Sequence, residues 1–262
     1  MAEQAKSMTE RVGHQLLVVH YGRADPTLKF LASYLSTSPP EGNPYPGVIV
    51  VDNGPEFSLQ RLVKDSRVLV ITKRQNLGFG KAFNYAAETA QAFVLVGSNA
   101  DVDLSFGLAR KLAEAAAETG GLAAPILIDR EGQAHNKRAF PSAIDLLLAR
   151  TPLRNRVIYP KNPTDPFWVT GACFAVTAEA HGRIGGFDDR FFLYFEDVDY
   201  CRRLLVAHVP VDVLDGLRTR HRHERSSRSF MSRAERFHLQ SALQYFKRYP
   251  RDVWRGYRYD HD

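Results

Sequence analysis

Five short apolar runs, separated by stretches of helical composition, constrain this chain more than any other feature. The runs are Leu16 to Tyr21, Val48 to Val51, Val68 to Thr72, Phe93 to Val96 and Leu122 to Ile128. Each is short for a helix and almost wholly apolar, which describes a strand covered on both faces. Between them, Asp25-Pro26 reads as an N-cap and first-turn proline opening a helix through Leu35. A short helix is expected over Phe57 to Val63, and the loop from Arg74 to Asn84 opens a helix reaching Ala90. Ser105 to Thr119, rich in Ala, Leu, Glu and Lys, is strongly helical. Strands alternating with helices predict an α/β fold, a mostly parallel central sheet flanked by helices. In such sheets the ligand lies beyond the carboxyl ends of the strands. His20, Asp52, Asn53, Asn99 and Asp101 all fall at those ends.

The second half is less regular. Asp129 to Pro166 is a long connection with one short helix near Ala143 to Ala149, and connections of that length are usually functional or mobile. Phe167 to Val176 reads as strand, glycine turn and strand, and Thr177 to Arg183 as a short helix. The run FFLYFEDVDYCRR, Phe191 to Arg203, then ends an aromatic segment abruptly in Glu196, Asp197 and Asp199. Three crowded carboxylates raise the pKa of at least one of them, which suits a proton acceptor. An acidic first helical turn is also what the helix dipole favours. Both readings stand at this point. A late strand is expected over Val211 to Leu214, and a helix over Ser232 to Tyr249 with Phe237, Leu243, Phe246 and Tyr249 on one stripe.

With 262 residues, 44% hydrophobic and 24% charged, the composition is that of a soluble globular protein. Cys173 and Cys201 have no metal-ligand spacing and read as reduced thiols. The polar N-terminus lacks an apolar core, so it is not a secretory signal, and no run is long enough to span a membrane. A cytoplasmic location is expected. The net charge of +6 suits an anionic partner. HYGRAD follows the first strand where a dinucleotide fold requires G-x-G-x-x-G; Gln75 and Ala82 break a phosphate-loop match at Gly80-Lys81; no G-x-S-x-G elbow occurs.

Five segments in order resemble the bacterial family 2 glycosyltransferases, most closely their rhamnosyltransferase-like branch. They are VIVVDNG at Val48 to Gly54, NLGFGKAFN at Asn76 to Asn84, SNADVD at Ser98 to Asp103, WVTGACF followed by GGFDDRFFLYFEDVDYCRR, and HRHERSS at His221 to Ser227. The resemblance spans Leu16 to Ser227 and implies a single GT-A domain, Rossmann-like, transferring a sugar from a nucleotide diphosphate with inversion and a divalent metal, Mg2+ or Mn2+. It divides the chain into a loosely ordered 1–13, a nucleotide-sugar half 14–128, an acceptor and catalytic half 129–217, and a basic, aromatic helical tail 218–262.

Residue by residue, the resemblance makes Asp197 the base and Asp101 a metal ligand, with His221 preferred over His223 as the second ligand. His20, Tyr21, Asp52, Asn76, Gly78 and Asn99 fall on the donor side; Trp168 and Glu196 fall on the acceptor side. Asp52 also reads as a cap for the next helix, Asn84 as a structural amide, and Asp199 as a cap or a partner for Arg202 or Arg203. Two departures stand out: Ala100 replaces the family's proline, and Pro55 its Ser or Thr after Asp-Asn-Gly. Asp103 reads as the N-cap of the Ser105 helix, with a place in the metal site left open. The implied donor is dTDP-rhamnose and the acceptor a saccharide or lipid-linked saccharide for surface polysaccharide. Trp254, Tyr257 and Tyr259 suit a peripheral contact with an anionic inner membrane face, or a closing helix packed on the domain. Nucleic acid is not expected. The rival readings are a nucleotidyltransferase, for which His20-Tyr21-Gly22-Arg23 is too short a loop, and a noncatalytic polyanion- or polysaccharide-binding protein.

Overall fold

The computed structural model describes residues 13–39, 47–54, 59–73, 75–135, 137–149, 151, 158–222 and 233–258. Expectations for residues 1–12, Pro55, His223, Ser226, Ser227 and Tyr259 fall outside them. The elements of the first half are β1 (His14–His20), α1 (Ala24–Ser36), β2 (Val48–Asp52), α2 (Leu59–Leu62), β3 (Val68–Thr72), α3 (Phe79–Thr89), β4 (Val94–Ser98), α4 (Phe106–Thr119) and β5 (Leu122–Ile128). The second half adds β6 (Ala134–His135), β7 (Arg138–Ala139), α5 (Ala143–Leu148), β8 (Phe167–Trp168), β9 (Cys173–Thr177), α6 (Ala178–Arg183), α7 (Glu196–Val206), β10 (Val211–Arg220), α8 (Arg233–Arg248) and α9 (Asp252–Arg255).

The main sheet runs β10-β5-β9-β4-β1-β2-β3, with β6 added to β5, and β7 pairs with β8 separately. Pairs β1–β2, β2–β3, β1–β4 and β5–β10 are parallel. β9 runs antiparallel between β4 and β5. The chain order reverses between β1 and β4, which is where a crevice opens in such sheets. Because β9 is antiparallel, the residues just before it lie at the carboxyl end of β4: Ser98 pairs with Cys173, and Asn99 N–H donates to Ala172 O at 2.8 Å.

Alternation along each strand builds a core on both faces. Leu16, Val18, Val48, Val50, Val94 and Val96 pack with Phe30, Leu31 and Tyr34 of α1 and Leu112 of α4. Leu17, Ile49, Val51 and Leu95 pack with Phe83 of α3 and with Val198, Cys201 and Leu204 of α7. Both cysteines are buried free thiols, each pushed up to about 12 by burial.

Several local expectations need correction. Asp25 is not an N-cap: α1 begins one residue earlier, and Asp25 instead pairs with Arg23 at 2.9 Å on the surface. α2 is a single turn. Asp103 does not cap α4; Ser105 does, its hydroxyl accepting from Leu108 N–H at 3.2 Å, while the Asp103 carboxylate pairs with Arg222. β10 extends to Arg220, past the boundary set at 217, because Arg218 to Arg220 pair with Ile126 to Ile128 of β5. On α8 the buried face is Ser241, Ala242 and Tyr245; Leu243 is 64% exposed, so it does not belong to the inward stripe.

Gly78 has φ +78°, and a Cβ there would stand 2.1 Å from the Phe192 carbonyl oxygen. No side chain fits without moving that backbone. Gly78→Ala is therefore expected to destabilise the fold by about 2 kcal/mol or more in denaturant titration, with the loss accompanied by a weaker Phe79 N–H to Phe192 O bond in amide exchange.

Candidate active site

The acidic run is presented by an unusual entry into α7. Tyr194 and Phe195 both have left-handed backbone, φ 68° and 65°. Neither is glycine, and such strain in a non-glycine residue marks a place the surroundings over-determine. The turn sets Glu196 and Asp197 in the first turn of the helix, facing inward rather than toward solvent. Gly171 N–H donates to Asp197 Oδ2 at 3.2 Å and Val198 N–H to Oδ1 at 2.9 Å.

Two cavities meet at these acids. The larger, of about 590 Å³, lies between α5, β8, the start of α7 and α8; Trp168, Leu146 and His238 line it. The smaller, of about 340 Å³, lies over the carboxyl ends of β4 and β5; Asn99, Asp129, His135 and His221 line it. Arg138, Thr170, Tyr194, Glu196 and Asp197 border both. A molecule in each cavity would thus share Asp197 between them.

Burial dominates the electrostatics. It pushes the Glu196 carboxyl well above the ordinary carboxylate range, and the adjacent Asp197 adds to the rise. Glu196 is buried, and among the described residues its Oε2 has no hydrogen-bond partner. Asp197 is also raised by burial, but the Gly171 and Val198 amides and the Arg138 cation oppose that rise. Two adjacent acids thus stand in unlike surroundings: both carboxyls are raised by burial, and only Asp197 has amide donors and a cation acting against the rise.

The expected metal ligands lie together at the smaller cavity. His221 is buried on its wall, and its Nε2 is 3.2 Å from Asp101 Oδ1. Backbone pairing holds the two segments together: Val102 bridges to His221, and Arg222 N–H donates to Asp101 O at 2.9 Å. Among the described residues no group of three His, Cys, Asp or Glu forms a metal cage. One carboxylate and one imidazole side by side, the imidazole on the cavity wall, fit a hard divalent cation whose remaining ligands come from ligand oxygens and water. Asp101 stands behind His221, and it is His221 and Asn99 that share the cavity wall with Asp197.

The remaining expected residues divide. Asp52 is buried and accepts from Gly54 N–H and Leu59 N–H, each at 3.2 Å, so it braces its loop and α2. His20, also buried, bonds Thr27 Oγ1 through Nδ1 at 2.8 Å; Tyr21 is 60% exposed and lines neither cavity. Burial lowers the His20 pKa, so its ring is neutral at pH 7. Asn76 points its Oδ1 at Asn53 Nδ2, 2.8 Å away, and at its own loop amide, Gly78 N–H. Asn84 bonds both the N–H and the carbonyl of Phe187, the structural amide it was read as. Trp168 is half-buried on the larger cavity, with Nε1 donating to Ala139 O at 2.9 Å. Asp199 pairs with Arg203 at 2.6 Å, while Arg202 turns to Asp252.

Sequence reasoning placed Asn53 on the rim but missed Thr170, Arg138 and the Asp129–His135 pair, whose Oδ2 and Nε2 lie 2.5 Å apart. The last three sit in or beside the long connection after β5, whose length was the signal available.

A family model described as glycosyl transferase family 2 matches residues 16–181, more than half of the chain. Rhamnosyltransferase WbbL of Escherichia coli is 31% identical over 120 residues, covering 44% of this chain and 45% of that protein. The N-acetylglucosaminyl-diphospho-decaprenol L-rhamnosyltransferase of Mycobacterium tuberculosis is 29% identical over 231 residues, covering 74% of this chain and 73% of that one. Among solved structures, GalNAc-T7 with UDP, GalNAc and Mn2+ superposes at TM-score 0.66 with 14% identity, over 90% of this chain and 48% of that one. A Pyrobaculum calidifontis mannosyltransferase with GDP-Man and Mn2+ gives 0.54 at 15% identity, over 95% and 66%. These two share the GT-A fold with this chain.

The upward shift of the Glu196 carboxyl has a measurable consequence. The ordinary value for this group is 4.5, and the fold raises it. Folding then favours the protonated form, so the stability it contributes is full below that value and is lost as pH rises toward the raised pKa. Glu196→Gln mimics the protonated acid. It should raise the melting temperature at about pH 7.5 and give no gain near pH 4, with about 2–4 °C for each kcal/mol. Equal melting of the two proteins at all pH values would show that Glu196 is ionised in the fold.

Proposed function

The chain belongs to glycosyl transferase family 2, and from that premise we propose that it is an inverting transferase moving a sugar from a nucleotide diphosphate to an acceptor hydroxyl. The observation that carries this reading is Asp197, at the junction of two cavities and next to a buried carboxyl pushed well above the ordinary range. The smaller cavity takes the diphosphate and sugar of the donor, with Asn99 and His221 on its wall. His20, Asp52, Asn76 and Gly78 build the outer donor side beyond β1, β2 and the loop before α3. A Cβ on Gly54 would lie within 3.6 Å of Asp52 Oδ1, Gly22 N and His20 Nε2, so these groups converge there. Tyr21, exposed beside them, is available to lie over a nucleobase.

The larger cavity takes the acceptor, with Trp168 offering a ring to a sugar face and Glu196 holding a hydroxyl. As the acceptor oxygen bonds to the anomeric carbon, Asp197 takes its proton and the bond to the diphosphate breaks on the opposite face. The Gly171 amide holds the Asp197 carboxylate in place for that transfer. A divalent cation bound by Asp101 and His221 would supply charge neutralisation to the departing diphosphate. The names of the relatives favour a rhamnose donor, dTDP-rhamnose in our reading, and a lipid-linked saccharide acceptor. The product then belongs to a surface polysaccharide or glycolipid, made at the inner face of the membrane.

Replacing Asp197 by Asn tests the base. Turnover should fall by about 10²–10⁴-fold, with donor affinity in calorimetry changed less than about twofold, since the amide keeps the shape of the group. Retained turnover would assign the proton to another group. Melting with nucleotide diphosphates tests the donor side: a ligand at 100 times its Kd stabilises by about 2.7 kcal/mol. That gain should require Mg2+ or Mn2+ and shrink in Asp101→Ala and His221→Ala. A gain equal with and without metal would remove the cation from the site.

A further inference from the structure

The larger cavity opens between two helices that each leave apolar side chains outside it. α5 turns Asp145, Leu146 and Ala149 to the cavity. Its other face carries Ile144 and Leu147, which are 49% and 69% exposed. Across the cavity, α8 lines it with Glu235 and His238 and exposes Leu239 and Leu243.

α9 packs against α5 and adds Trp254, 76% exposed. That exposure does not belong to a loose end. Asp252 of α9 is buried, paired with Arg202 at 3.1 Å and accepting from the Tyr245 hydroxyl at 2.9 Å. Just after α9, Gly256 has φ +65°, and a Cβ on it would stand 2.2 Å from the Phe140 carbonyl oxygen. The Tyr257 ring meets Phe140 edge-on at 5.1 Å. The helix is thus clamped from two sides, and the clamp holds an indole in solvent. Arg251 and Arg255, both exposed, flank it.

Single exposed apolar residues are ordinary, but a fixed, exposed indole on a helix packed against the one that exposes Ile144 and Leu147 is more than a single residue. An indole flanked by arginines is the arrangement that settles at the headgroup level of a bilayer, with the ring toward the acyl chains and the cations toward phosphate. Among the described residues no helix is long and apolar enough to cross a membrane.

We propose that the face formed by Ile144, Leu147 and Trp254, with Arg251 and Arg255, docks on an anionic lipid surface and brings the mouth of the larger cavity to the headgroup layer. The proposal rests on reading that cavity as the acceptor site. The arginines decide the occupant: they complement anionic headgroups, and they would repel the same residues of a second copy across a twofold axis.

The test uses the full chain and vesicles without donor or acceptor, so it is independent of turnover. Co-sedimentation should show at least about tenfold tighter partition onto phosphatidylglycerol-containing vesicles than onto phosphatidylcholine, falling as salt is raised. The emission lost on Trp254→Phe should shift to the blue when vesicles are added. Leu147→Ser combined with Trp254→Ser should weaken vesicle binding at least about tenfold while transfer to a water-soluble acceptor is unchanged. Should that variant melt early, Arg251→Glu with Arg255→Glu gives the same reading through charge alone. Equal binding to both vesicle types, or undiminished binding by either variant, overturns the proposal. So does a change of oligomeric state in place of a change in vesicle binding, which would make the patch a contact between copies. Vesicle binding with no transfer to any acceptor would instead leave the surface standing and sink the catalytic reading.

Discussion

The site depends on four residues of backbone, Phe192 to Phe195. Left-handed conformation at a non-glycine residue costs about 1–2 kcal/mol, and this segment holds two in succession, Tyr194 and Phe195. Two separate elements hold them there, the start of α3 and α8. The Phe192 carbonyl accepts from Phe79 N–H at 3.2 Å, in the space that Gly78 leaves by lacking a side chain. The Leu193 carbonyl accepts from Ser241 Oγ of α8 at 2.8 Å. The Phe195 ring is buried, its centroid 5.4 Å from both Tyr245 and His238. The donor-side loop and the C-terminal helix therefore meet on the segment that aims the two acids. A change in either would reach Asp197 through backbone position, not through contact.

The third acid of the run explains how the C-terminal helices come to be part of the domain. Asp199 is fully buried, and burial pushes its carboxyl upward against the charge of Arg203 and the bond from Tyr249. Arg203 pairs with it at 2.6 Å, the Tyr249 hydroxyl donates at 2.7 Å, and Arg248 lies 3.6 Å away. Arg248 also pairs with Asp188, which Arg190 holds from the other side. Such a network is weak evidence for net stability, because desolvation offsets much of the attraction. Removing one member leaves a buried charge and costs about 3–5 kcal/mol. The network's effect is thus to fix how α7 and α8 sit on one another, which is the same geometry the strained turn requires.

Much of this was legible in the sequence, for reasons that differ by region. Apolar runs of four to seven residues announced β1 to β5, since a strand buried on both faces admits few polar residues. The rim residues followed, because chain direction alone places Asn99 and Asp101 at a carboxyl end. Arg202 and Arg203 were both at helical spacing from Asp199, and only the packing of α9 sends the former to Asp252. Leu243 was read as inward because a helical stripe of apolar residues ordinarily faces a core; here Ser241 and Ala242 face it instead, small enough to let Tyr245 in. Asp103 fitted a cap by type, but Ser105 stands at the helix start and Arg222 arrives from a strand over a hundred residues away. Arg138 and Thr170 carried no pattern at all. Their place at the junction comes from the β7–β8 pairing, in which Arg138 opposes Trp168, and from an antiparallel β9 that no local signal foretold.

That antiparallel strand has a consequence for the chemistry. Were β9 parallel, Thr170 and Gly171 would precede it at the opposite edge of the sheet, away from β4. Reversed, it brings the Gly171 amide to Asp197 and the Ala172 carbonyl to Asn99. The carboxylate that is proposed to accept the proton is therefore tied to Gly171, next to the Ala172 that ties down the loop after β4. Asp197 needs that tie for a second reason. Burial raises its pKa, and a base that keeps its own proton cannot take another. Two amide donors and the Arg138 cation pull the other way, while Glu196, whose Oε2 has no partner among the described residues, is pushed well above the ordinary carboxylate range. The difference between neighbours one residue apart comes from what each meets across the cavity, and the reversed strand supplies the amide that separates them.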